Sequence, residues 1–146
     1  MYLATEVSLE RVAGLFASPP FPLPHVSSFG VTPKMSQPGK WHLIVDLSSP
    51  GVASVNDDVN PDEFALHYIM VDQVIRMVSK FGRGALLAKF DVEASRRNIA
   101  IHPSDRFLLG MKRRSKFYFD LVLPFSLRSA PHIFNCVEDV SEMDLS

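Results

Sequence analysis

Residues 107–123 read FLLGMKRRSKFYFDLVL. Two apolar stretches, Phe107 to Met111 and Phe117 to Leu123, flank the basic run Lys112-Arg113-Arg114-Ser115-Lys116. Aromatic and branched residues suit strands, and a charged break between two such runs suits a hairpin tip. Pro124 ends the second strand because it has no N–H to give a ladder. Beyond it, Ser129-Ala130-Pro131 reads as a helix start, with Ile133, Phe134, Val137 and Val140 forming a stripe expected to pack. Upstream, Ala85 to Phe90 is a short apolar run that delivers Asp91 at a predicted strand end. Val71, Val74, Ile75 and Val78 follow helical spacing, with Asp72 near the start, Lys80 near the end and Gly82 just beyond. Trp41, Leu43, Val45 and Leu47 alternate with His42, Ile44 and Asp46, a strand that Ser48 to Gly51 break. Residues 18–39 hold six of the eleven prolines and are expected to be an extended or irregular lead-in. Ser8 is placed as the cap of a short helix running to Gly14, with Glu10 in its first turn. The mixture is an α+β pattern.

A chain of 146 residues is one domain's worth and buries about two-thirds of its unfolded surface. With 47% hydrophobic and 21% charged residues, it has the composition of a packed domain rather than a disordered tail or coiled coil. The net charge of −1 points to no charged partner, but residues 83–116 carry nine Lys/Arg against three Asp/Glu. That positive middle suits a phosphate-facing surface or, equally, a solvated basic hairpin. A single cysteine, Cys136, forms no internal disulfide, and a reducing compartment is the default. No apolar run approaches about 18 residues and the first residues lack signal-peptide character. The expectation is a soluble intracellular protein, cytoplasmic or nuclear, with no membrane partner.

The residues alone leave Asp91 two uses. A carboxylate at a strand end holds a divalent metal, or it caps the next turn or pairs with Arg96 or Arg97. Asp57-Asp58 lies in a polar loop and suits turn formation. The five histidines show no ligand spacing, and no serine or cysteine carries a nucleophile signature.

Several collinear segments carry a resemblance. Residues 19–34, ending in Ser28-Phe29-Gly30-Val31-Thr32-Pro33-Lys34, lead to Pro38-Gly39-Lys40-Trp41-His42-Leu43-Ile44-Val45-Asp46-Leu47-Ser48-Ser49-Pro50. Ser54-Val55-Asn56-Asp57 follows, then Leu87 to Glu93, reading LAKFDVE, and Leu121 to Phe134, reading LVLPFSLRSAPHIF. Together they resemble the reverse transcriptase of DIRS/Ngaro-type tyrosine-recombinase retrotransposons. The resemblance implies the fingers and partial palm of a right-hand polymerase, with residues 1–82 as arm and fingers and 83–146 as the first half of the palm. It implies nucleotidyl transfer with two Mg2+ ions, template-primer and deoxynucleotides as partners, Asp91 as the catalytic metal ligand, and Val92 as a ligand through its backbone carbonyl. Lys34, Lys40 and Arg128 stand where the family contacts phosphates; Phe125 and Pro131 stand where it shapes the nucleotide pocket.

Three positions differ from that family. His42 stands in place of an arginine, Arg96 in place of the aromatic beneath the sugar, and Ser126 in place of a glycine. A neutral imidazole lacks arginine's fixed charge and fork of donors, and a side chain at 126 obstructs a close backbone approach. No Tyr-x-Asp-Asp occurs within the 146 residues, so this chain is expected to be an inactive fragment by itself. The alternative is a non-catalytic nucleic-acid-binding or interaction remnant, with Lys112, Arg113, Arg114 and Lys116 touching template or only keeping the tip soluble.

Overall fold

A computed structural model of the chain describes residues 2–35, 37–66, 68, 70–88 and 95–143, with backbone only for 2 and 139–143. Helix α1 spans Tyr2–Ser8, earlier than its expected place. Leu3 and Glu6 are buried and Val7 packs on the core, a spacing that turns one helix face inward. Ser8 closes the helix instead of opening it, its hydroxyl donating to the Thr5 carbonyl at 2.8 Å. Glu10 then takes a φ of 55°, which leads the chain out of the helix. Residues expected to be helical up to Gly14 instead enter strand β1, Val12–Phe16. Pairing decides this: Val12, Ala13 and Gly14 lie opposite Asp120, Phe119 and Tyr118.

Strand β2, Val26–Pro33, comes out of the proline-rich segment. Its Ser28 to Pro33 pair antiparallel with β3, Trp41–Asp46, the strand read from the alternation. At its base, Val26 and Ser27 pair in parallel with Gly110 and Met111 of β4, Gly110–Arg113. Gly110 permits this approach, because a Cβ there would strike the His25 carbonyl. The hairpin of β4 with β5, Lys116–Asp120, sets Arg113 opposite Lys116 and leaves Arg114 and Ser115 as a two-residue turn. Phe107 and Leu108 are not strand: they end a 3-10 turn, Pro103–Leu108, that Pro103 starts and the His102 ring caps by accepting the Ser104 N–H. The result is a small mixed α/β domain on one five-stranded sheet, in the order β1-β5-β4-β2-β3, parallel only between β4 and β2.

One sheet face carries the main core, where Leu3, Val12, Val45, Leu47, Leu109, Met111 and Tyr118 meet. On the other face Phe119, 1% exposed, is met edge-on by Phe21 at 4.8 Å between ring centroids. Helix α2, Val71–Phe81, ends at Gly82 with φ 77°, as its spacing and capping predicted. It buries none of its residues. Helix α3, Ala130–Met143, starts where Pro131 indicated. Of its expected stripe, Ile133 and Phe134 are half-buried, whereas Val137 is largely exposed.

Candidate functional site

The β2–β3 ribbon brings the first basic residues together. Lys34 donates its backbone N–H to the Lys40 carbonyl at 2.8 Å, closing the loop between the strands. Two residues further on, the His42 ring meets Phe125 edge-on, with 6.2 Å between centroids and 81° between planes. Partial burial, and then the nearby Lys34 charge, hold the imidazole below its ordinary pKa, so His42 is neutral at pH 7. The Arg96 guanidinium approaches the same Phe125 ring, 5.8 Å from its centroid. Residues far apart in sequence thus converge on one aromatic shelf, which is itself 43% exposed.

Behind the shelf, Asn56 ties the segments together. Its side-chain amide donates to the Ser48 hydroxyl at 2.8 Å and the Ser126 carbonyl at 2.9 Å. Its oxygen accepts the Arg128 backbone N–H at 2.8 Å. Asn56 is buried, so these bonds replace water it has lost, and breaking one leaves a polar group uncompensated. The Arg128 guanidinium reaches the Val59 carbonyl at 3.0 Å. Asp57, read as a turn former, accepts both the backbone N–H and the hydroxyl of Ser54, at 2.9 and 2.8 Å. Those two bonds hold its carboxyl below the usual range, with Arg128 adding to the pull. The Ser126 hydroxyl is buried and meets no hydrogen-bond partner among the described residues.

The structure therefore gathers His42, Arg96 and Phe125, with Lys34 close by. Ser126 and Arg128 sit behind them on Asn56, and Lys40 joins through the ribbon loop. Asp91 and Val92 lie outside the described residues. Arg97, offered as a partner for Asp91, meets two acids among the described residues: its Nη1 meets Asp120 Oδ1 at 2.6 Å and its Nη2 meets Glu6 Oε2 at 2.8 Å. Burial alone would lower the Arg97 pKa, but the charges of Asp120 and Glu6 outweigh it and raise it. Burial pushes the Asp120 carboxyl up to about 6 against the pull of Arg97. Both directions leave Arg97 charged and Asp120 mostly ionised at pH 7.

Neither Asn56 nor this ionic triad was among the residues singled out from sequence. Asn56 sits in a segment that carries the resemblance, yet nothing in the pattern marks an asparagine as buried. Among the described residues no three His, Cys, Asp or Glu side chains could together hold a metal ion. The described residues alone do not make a magnesium site. No described helix is long and apolar enough to cross a membrane. Compared with known proteins, the chain matches no family model and no curated protein.

Proposed function

We propose that the chain is a nucleotide-binding part of a right-hand polymerase. Within that class we infer a reverse transcriptase of the DIRS/Ngaro retrotransposon type, residues 1–82 serving as arm and fingers and 83–146 as the first half of the palm. The observation that carries the reading is convergence: His42 and Arg96, chosen from separate segments, both approach the ring of Phe125, chosen from a third. Phe125 offers a face on which a base or sugar packs. Lys34, Lys40, Arg96 and Arg128 supply positive charge for phosphates, and neutral His42 adds a ring nitrogen but no charge. Mg2+ enters this proposal only through Asp91 and the Val92 carbonyl.

Template-primer extension with Mg2+ or Mn2+ should give no incorporation by this chain, which lacks a second catalytic carboxylate pair. A deoxynucleoside triphosphate, added without template, should shift the NMR signals of His42 and Phe125. Unmoved signals at millimolar triphosphate would sink the nucleotide reading.

A second reading has its own observation. At the hairpin tip Lys112, Arg114 and Lys116 are all exposed, with the Lys112 ammonium 5.1 Å from the Phe117 ring centroid. A nucleic-acid strand held there would dissociate steeply as salt rises, losing affinity in Arg114→Ala but not in Phe125→Ala.

A further inference from the structure

Arg97 occupies a 3-10 turn, Ser95–Asn98, between two elements far from it in sequence. Its guanidinium is gripped by Glu6 from α1 and Asp120 from β5, and all three side chains are less than a tenth exposed. Arg11 adds a weaker approach to Glu6, at 3.9 Å. Leu3, Glu6 and Val7 share the inward face of α1. A carboxylate on a packing face loses its hydration, a loss offset only by a charged partner with good geometry. Arg97 supplies both, through one nitrogen to each acid.

Successive side chains in a 3-10 turn point about 120° apart. With Arg97 turned inward onto the two carboxylates, Arg96 is directed away from them, and that is where its guanidinium meets Phe125. The chain leaving the turn is also pinned, since Leu123 donates to the Ile99 carbonyl at 2.8 Å and Ile101 to the Leu121 carbonyl at 2.9 Å. Those bonds fix where the turn ends. Within the turn Ile99 donates to the Arg96 carbonyl at 3.2 Å, and the Arg97 ion pairs add a side-chain tether on its inward face.

We propose that Arg97 is a positioning residue for the candidate site and that α1 acts on the site through it. Glu6 and Asp120 hold Arg97, Arg97 orients the turn, and the turn sets Arg96 against Phe125. What the site binds rests on the proposed function; the coupling from α1 to Arg96 is independent of the ligand.

The test is NMR of the whole chain. In the wild type, Arg96 side-chain protons should show nuclear Overhauser contacts to the Phe125 ring and its ring-current shift. Glu6→Gln keeps the size of the side chain and removes its charge. In that variant the Arg96–Phe125 contacts should weaken or vanish while the Val12–Asp120 strand contacts persist, and Arg97→Lys should show the same loss despite keeping the charge. Unchanged Arg96–Phe125 contacts in folded Glu6→Gln would overturn the coupling. Should neither variant fold, the wild type is followed as pH falls through about 6 and Asp120, which faces Arg97 beside Glu6, takes up its proton. The contacts should then fade before the strand contacts do, and their persistence until global unfolding would overturn the coupling. Inorganic triphosphate separates the two readings. Affinity should fall about threefold in Glu6→Gln, the scale of one exposed charge or cation–π contact. Lost contacts with unchanged affinity would leave the coupling standing and remove Arg96 from the binding site.

Discussion

The Ser126 hydroxyl is buried without a partner among the described residues, which do not offset its lost hydration. An unsatisfied buried hydroxyl costs about 1–3 kcal/mol, so Ser126→Ala should be neutral or stabilising by up to about 1 kcal/mol in urea denaturation. Asp120 gives a pH dependence of definite sign. Its carboxyl titrates at about 6 when folded, against an ordinary value of 3.8, so the folded state keeps a proton that the unfolded chain has released. The stability this group contributes is full below the unfolded value and is lost as pH rises through about 6. Urea midpoints of wild type and Asp120→Asn should therefore diverge in the wild type's favour between pH 7 and pH 4.5. Taking the difference removes the opposite effect of His42, whose lowered pKa makes the folded state lose stability as it protonates.

At the scale of elements, the hairpin turn shows a mismatch between residue and backbone. Arg114 and Ser115 take φ values of 47° and 60°, a conformation that glycine and asparagine accept far more readily. Arg114→Asn with Ser115→Gly should raise stability by about 1 kcal/mol, read as a higher melting temperature. Elements with a local signature were legible in the sequence: β3 through its alternation, α2 through its spacing and Gly82, and the hairpin through its polar break. Those made by distant partners were not. The strand Val26–Pro33 contains two serines, a glycine and a proline, and its extended form is held by neighbours on both sides. The inward face of α1 contains Glu6, which a pattern of apolar residues reads as outward. The site divides in the same way. His42, Arg96 and Phe125 came from resemblance, whereas Glu6, Arg97 and Asp120 share no spacing that could join them.

At the scale of the whole molecule, core and surface are unevenly divided. Residues of α2 leave large apolar groups in water, with Val71 73%, Ile75 56% and Phe81 77% exposed. Truncating an exposed side chain removes little packing, so Ile75→Ser should change stability by no more than about 0.5 kcal/mol. The same substitution should raise the protein concentration at which light scattering first detects association, because it shrinks an exposed apolar face. Ile75→Ser that unfolds the chain would show that this face is covered in solution.

The edge pairing of β1 with β5, in which Val12 lies opposite Asp120, also sets an order of events. Closing a loop of that length is entropically costly and makes such contacts slow to form. On a ribosome, roughly 5 to 20 s of synthesis separate the two partners. During that interval Leu3 and Val12 have no Met111 or Tyr118 to pack against. Val12–Phe16 is therefore made well before the strand it pairs with, and the nascent chain carries it as an unpaired strand until the hairpin arrives.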